Sequence, residues 1–225
     1  MGWPRNLVMV RHAESEGNVL TADERAEYDC ATDRYRLTER GRKQAELTAR
    51  FLYKRYPEGF AAYYTSYYVR SRETMEIMYP KAKIYEDPRL AEATRGIWHT
   101  MSAAQMEARF PEEVKRKERE GLYHYRPLGG ENWPDIELRI HSFLGTLSRD
   151  YEGRDVLMVV HGHWLILLQR LIHHFSIEEA VRLYKQGHFH NASVTSYWVD
   201  RDTAGRQRFV CDLNNYAPWK EELKD

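Results

Sequence analysis

Apolar residues in this chain come in short runs that stop abruptly at polar groups. Leu7 to Val10 is such a run, cut off by Arg11-His12, as expected of a buried strand that ends in a polar loop. Phe60 to Thr65 predicts a second strand, Ala82 to Tyr85 a short third, and Asp155 to Val160 a fourth that ends at His161-Gly162. Between them the period changes. From Thr38 onward Ala45, Thr48, Ala49 and Leu52 share one helical face. A helix follows Val69 and is ended by Pro80; a charged helical stretch spans about 102–120. Pro127, Gly129 and Gly130 then break the chain. Pro134 opens a helix with Ile136, Ile140, Phe143, Leu144 and Leu147 on its face. An apolar helix starts at His163 and another runs from Ser176 to Gln186. Ser193 to Val199 and Gln207 to Leu213 predict a closing hairpin around Thr203-Ala204-Gly205.

Strands that alternate with helices predict an α/β fold, a three-layer sandwich whose mostly parallel central sheet is covered by helices on both faces. Ligands of such sheets bind beyond the carboxyl ends of the strands. Two predicted strands end there in a histidine, His12 and His161, and a third ends near Ser66 with Arg70 shortly after. The 225 residues, without repeat or low-complexity linker, suit a single domain over 1–225.

Charge narrows the partners. Lys+Arg and Asp+Glu both number 34, so no net field attracts nucleic acid or an acidic membrane, and any electrostatic function comes from local clusters. Cys30 and Cys211 do not make a disulfide framework. The segment Met-Gly-Trp-Pro-Arg lacks the apolar core of a signal peptide, and Asn6 stands where a myristoylation signal wants Ser or Thr. The longest apolar run, Trp164 to Leu168, is far short of the ~20 residues that span a bilayer. A cytoplasmic protein is expected; oligomeric state leaves no trace in the sequence.

An Arg-His pair at a strand end offers specific chemistry. Phosphoryl transfer needs a nucleophile, cations around the non-bridging oxygens and a proton for the leaving oxygen. Imidazole is already largely neutral and basic at pH 7, and the guanidinium fork matches phosphate bidentately.

The segment Val10-Arg11-His12-Ala13-Glu14-Ser15-Glu16-Gly17-Asn18 resembles the signature of the histidine phosphatase superfamily, which includes the cofactor-dependent phosphoglycerate mutases. Further segments resemble its other motifs in the family's order. They are Leu37-Thr38 with Gly41, Gln44 and Ala45; Ser66 with Arg70 and Thr74; Leu90-Ala91-Glu92 with Gly96; Gly129-Gly130-Glu131-Asn132; and Val160-His161-Gly162. The resemblance covers about residues 7–195 and implies a phosphoglycerate mutase-like fold. It also implies roles. His12 would be the phosphorylated nucleophile. Arg11, Arg70 and His161 would hold the phosphoryl oxygens, helped by Asn18 and Ser15. Glu92 would protonate the leaving oxygen and then activate water. Gly162 leads into a helix whose first N–H groups could face the phosphate.

Each role has a structural rival. Arg72 competes with Arg70 as the helix-surface arginine, His161 could be a satisfied buried histidine, and Glu14, Glu16 and Glu131 lie near Glu92 in motif order. His161-x-His163 and His188-x-His190 could pair on a metal, but no carboxylate cluster or Cys pair completes a site, so neither metal nor cofactor is expected. The expected activity is that of a phosphomonoester hydrolase, of histidine acid phosphatase type. Its partners would be a small phosphorylated metabolite and inorganic phosphate. The alternatives are a phosphoglycerate-type mutase and a non-catalytic phospholigand-binding scaffold. Against the mutase, Glu92 is followed by Ala93-Thr94-Arg95-Gly96-Ile97-Trp98, and the Arg-Arg-rich insertion with Asp and paired prolines does not appear before Gly129. Residues 95–133, including Trp98, His99 and Thr100, with the loop 19–36, are expected to cover the pocket. Tyr28, Arg34, Tyr35, Arg95, Tyr125 and Trp133 are the candidate substrate contacts.

Overall fold

The apolar runs meet in one six-stranded sheet in a computed structural model, which describes residues 2–99, 101–187, 189–201 and 207–223. Strands β1 (Asn6–Arg11), β2 (Ala62–Thr65), β3 (Ile84–Glu86), β4 (Asp155–Val160), β5 (Val194–Arg201) and β6 (Gln207–Tyr216) lie in the order β3-β2-β4-β1-β5-β6. The first four in that order are parallel, and β5 is antiparallel to both of its neighbours. The expected mostly parallel sheet and the closing hairpin are therefore both present. The hairpin turn predicted at Thr203-Ala204-Gly205 lies outside the described residues, as do Thr100 and His188.

Pairing between β1 and β4 sets the height of the site. Asn6 lies opposite Asp155 and Arg11 opposite Val160, so His12 and His161 leave the sheet side by side. The alternation of strand side chains then builds two cores. The loop after β1 carries two short helices, α1 (Glu16–Val19) and α2 (Ala22–Glu27). Val8 and Val10 face α3 (Glu39–Arg55) and α4 (Val69–Met78), meeting Ala45, Ala49, Leu52, Met75 and Met78. The stretch after β3 carries α5 (Ala103–Arg109) and α6 (Pro111–His124). Leu7 and Met9 face the opposite layer, α7 (Trp133–Asp150) and α8 (Gly162–His173), where they join Ile136, Ile140, Phe143 and Trp164. A final helix, α9 (Ile177–Gln186), packs beside α8.

Local signals explain the helix starts. Thr38 caps α3 by accepting from the Gly41 N–H, and Asn132 and Asp135 close a reciprocal box at the head of α7. Two features differ from expectation. The charged stretch is two helices, because Phe110 adopts a non-helical backbone before Pro111, which opens α6. The loop after β1 is partly helical, with Thr21 and Glu24 forming a capping box. Among the described residues no helix is long and apolar enough to cross a membrane.

Candidate active site

Where β1 ends, three side chains from other elements, two of them motif residues, seize the backbone of the next residues. Thr74 Oγ1 accepts from the Ala13 N–H at 3.0 Å, and Gln44 Oε1 from the Glu14 N–H at 3.0 Å. Asn191 Nδ2 donates to the His12 carbonyl at 3.0 Å. Gly41 admits the loop: a Cβ there would lie 2.0 Å from the Glu14 carbonyl oxygen. The His12 imidazole is thereby fixed. Its Nδ1 lies 2.8 Å from the Ala13 carbonyl, which can only accept, and its Nε2 accepts from Arg70 Nε at 3.1 Å. Those partners assign the proton to Nδ1 and a lone pair to Nε2. Burial, with the positive charges of Arg70 and Arg11 and the neighbouring His161, holds the His12 pKa well below its ordinary value and keeps the ring neutral near pH 7.

Two arginines stand beside that lone pair. Arg70 Nη1 donates to the Thr32 carbonyl at 2.7 Å and Nη2 to His161 Nδ1 at 3.3 Å. Arg11 Nη1 donates to the Phe189 carbonyl, while its buried Nε has no hydrogen-bond partner among the described residues. A buried guanidinium N–H without an acceptor is a natural partner for an anionic oxygen. Burial and the neighbouring Arg70 lower Arg11 to about 10, against some support from Glu92, so it stays charged at pH 7. Arg72, the rival of Arg70, points away and pairs with Glu86 and Glu76 on the surface.

A cleft of about 430 Å³ opens over these groups. Arg11, His12, Ser15, Asn18, Arg70, Glu92 and Gly162 all line it. Ser15 and Asn18 are locked together, Ser15 N and Oγ each donating to Asn18 Oδ1 at 3.0 Å. His161 is placed differently from the rest. It is fully buried behind Arg70 and does not line the cleft. Its Nδ1 must accept from Arg70, so its Nε2 carries the proton, shared with Ser66 Oγ at 2.7 Å and Ser71 Oγ at 3.1 Å.

Glu92 enters from the loop after a 3-10 turn at Pro88–Leu90. Arg139 of α7 straps that loop down, donating to the carbonyls of Arg89, Ala91 and Glu92. Glu131 completes the strap by gripping Arg139 at 2.9 Å and the Thr94 N–H at 3.1 Å. Glu92 Oε1 accepts from the Ala93 N–H at 2.9 Å and lies 3.3 Å from His163 Nδ1. Burial alone raises this carboxyl, as expected for an acid in a desolvated site. His163, its hydrogen bond, His161 and the Ala93 N–H outweigh burial and leave Glu92 well below the usual carboxylate range. The other glutamates considered are engaged elsewhere: Glu14 accepts from the Thr38 hydroxyl at 2.7 Å, and Glu16 from the Arg36 N–H at 2.9 Å.

Several site residues escaped the sequence reading. Gln44, Ser66 and Thr74 were visible only as parts of motifs, and Ser71 and Asn191 carried no signal. His163, beside Glu92, and His99, lowered to about 4 by burial and by Arg95, both line the cleft. Of the suggested substrate contacts, Tyr35 and Arg95 line the cleft, while Tyr125 and Trp133 wall an adjoining compartment. Tyr28 and Arg34 do neither; Arg34 pairs with Asp33 on the surface. Among the described residues no three His, Cys, Asp or Glu are grouped to hold a metal ion.

Comparison with known proteins matches the family model described as the histidine phosphatase superfamily (branch 1) to residues 7–211. The chain belongs to the histidine phosphatase superfamily. A superfamily relative from Gloeobacter violaceus, 2,3-bisphosphoglycerate-dependent phosphoglycerate mutase 2, is 29% identical over 184 residues, 79% of this chain and 80% of the mutase. Phosphoserine phosphatase 1 of Hydrogenobacter thermophilus is 30% identical over 157 residues, 69% of this chain and 70% of that protein. Among solved structures, Bacillus stearothermophilus YhfR superposes with a TM-score of 0.73 at 26% identity, covering 94% of this chain and 96% of its own. A mycobacterial glucosyl-3-phosphoglycerate phosphatase solved with VO3 gives 0.71 at 25% identity, covering 94% and 99%. The chain's relatives in the superfamily thus include both mutases and phosphatases.

Proposed function

We propose that this superfamily member hydrolyses phosphomonoesters of a small metabolite through a phosphohistidine on His12. One observation carries the reading: a neutral, buried His12 presents its Nε2 lone pair to a cleft in which two arginines converge. Arg70 Nε donates to that lone pair at 3.1 Å. A phosphoryl oxygen is the stronger acceptor and draws the guanidinium to itself, which frees Nε2 to attack phosphorus. The Nε2–P bond forms, the P–O ester bond breaks, and the leaving oxygen takes a proton from Glu92. Water then attacks the phosphohistidine, Glu92 removes its proton, and the N–P bond breaks.

Arg11 Nε, Arg70, Ser15, Asn18 and the first N–H groups of α8 after Gly162 would hold the oxygens. His161 acts through Arg70, as a positioning residue. Glu92 needs its proton at the first step. A phosphate dianion beside it supplies the negative charge that opposes the His163 effect and raises its pKa. Residues 95–133 would serve as the lid of a single domain.

The mutase reading has one specific support, the 29% identical Gloeobacter relative. A panel of phosphate esters, run with His12→Ala as control, tests the proposal. Release of inorganic phosphate that vanishes in the variant is expected. Rapid interconversion of 3- and 2-phosphoglycerate, stimulated by bisphosphate, would establish the mutase instead. Undiminished turnover in His12→Ala would exclude both.

A further inference from the structure

We propose, building on the phosphatase reading of His12, that Arg95 and Lys117 form a second anion site that selects esters whose alcohol part carries its own carboxylate or phosphate. The catalytic cleft continues sideways into a compartment of about 170 Å³, and Arg95, His163 and Tyr184 line both spaces. Trp98, Tyr125 and Trp133 wall the far part. Lys117 of α6 reaches into it with its ammonium 3.9 Å from the centroid of the Trp98 ring. That ring is itself fixed, because Trp98 Nε1 donates to the Tyr125 hydroxyl at 2.8 Å.

Among the described residues no carboxylate lies within ion-pair distance of Arg95 or Lys117, and the acids nearby are occupied. Glu113 is held by Arg116 at 3.0 Å and by the Tyr125 hydroxyl at 3.0 Å, and Glu131 by Arg139 at 2.9 Å. Half-burial and the charge of Arg95 both push the Lys117 pKa down. Like charges gathered in a partly desolvated cleft are unfavourable alone and become favourable around an anion.

Geometry says which part of a ligand arrives there. With phosphorus at His12, the ester oxygen faces Glu92, and Glu92 is paired with His163, which walls both spaces. The alcohol therefore departs toward the side compartment. At about 170 Å³ that space falls below the ~300–1,000 Å³ of drug-sized sites. It suits one ring or a short chain lying against the aromatic walls, with a terminal anion between Arg95 and Lys117.

The test compares phenyl phosphate, the 3- and 4-carboxyphenyl phosphates and the 1,3- and 1,4-phenylene bisphosphates. Wild type, Lys117→Met, Arg95→Met and Lys117→Arg are measured, with the exposed Lys115→Met as control. The readout is the kcat/KM ratio of each charged ester to phenyl phosphate, which cancels general effects on folding or on phosphoryl binding. Wild type should favour an ester with a second anion. Either methionine variant should lose about tenfold or more of that ratio, the size of a charge-assisted hydrogen bond. Lys117→Arg should retain it, and Lys115→Met should leave every rate unchanged. The carboxyphenyl and bisphosphate arms identify the preferred anion. A ratio unchanged in both methionine variants overturns the second site while leaving the phosphatase reading intact. If wild type turns over none of the esters, the phosphatase reading fails by itself. Calorimetric binding of the carboxyphenyl and phenyl phosphates to the same proteins then decides the second site by the same ratio.

Discussion

Replacing Glu92 by Gln isolates its proton from its position. The Gln amide oxygen can still accept from the Ala93 N–H, which Glu92 Oε1 meets at 2.9 Å, and can still face His163 Nδ1 at 3.3 Å. The loop beneath remains strapped by Arg139. What is lost is the ability to carry and give up a proton, together with the carboxylate charge beside His163. Positioned proton transfer typically contributes ~10²–10⁴-fold, equal to about 3–5 kcal/mol of barrier. Glu92→Gln should slow an alkyl phosphate by about that factor, because an alkoxide is a poor leaving group without its proton. It should slow p-nitrophenyl phosphate far less, because nitrophenolate leaves unprotonated. Single-turnover quench of the first half-reaction is the assay, since in the proposed mechanism Glu92 also serves the water step. Equal slowing of both esters in that half-reaction would refute the role of Glu92 as the acid.

Other perturbations read other parts of the site. Activity should survive dialysis against a strong chelator, because in the proposed mechanism Arg11 and Arg70 supply the charge that Mg²⁺ supplies elsewhere; a loss restored by Mg²⁺ or Zn²⁺ would contradict this. Stability should fall in acid. His12 and His161 are held well below their ordinary pKa, chiefly by burial and Arg70, and His99 sits at about 4 through burial and Arg95. Unfolded histidines titrate near 6.5, so below that pH the unfolded chain binds protons that the fold refuses, and stability drains away between about pH 6.5 and 4. His99 alone would contribute roughly 2–4 kcal/mol of that loss. Urea midpoints measured from pH 7.5 to 5 should decline, and His99→Phe should flatten the decline. Gly41→Ala should destabilise by about 1–3 kcal/mol despite its helix propensity, because its Cβ would meet the Glu14 carbonyl at 2.0 Å. A variant as stable as wild type in thermal unfolding would show that the loop yields.

Legibility in the sequence followed the strength of local signals. The β4 run Asp155–Val160 and the α7 face from Ile136 to Leu147 stand where the pattern put them, because buried elements carry uninterrupted apolar periodicity. The split at Phe110–Pro111 was harder, since charged residues continue on both sides and only one proline marks the break. Arg11, His12, Ser15, Asn18, Arg70, Glu92 and Gly162 were named by motif and share one cleft. The placement of His161 behind Arg70 was not legible, because two serines 90 or more residues away decide which ring nitrogen faces where. The pairing of Glu92 with His163 was hidden for the same reason: contacts between distant segments leave no period in either.

The pairing of β1 with β4 has a consequence for how the chain is made. Asn6 meets Asp155, so the strand that leads into His12 must wait for a partner made about 150 residues later. Its other neighbour, β5, emerges later still. At ~5–20 residues per second that wait lasts on the order of ten to thirty seconds. Throughout it, Leu-Val-Met-Val is an unpaired apolar strand, open to wrong partners and to chaperones. Under the proposed function, phosphate binding needs both strand ends and becomes possible only once this long-range pairing closes, so the return of phosphate affinity during refolding would report the docking of β1 on β4.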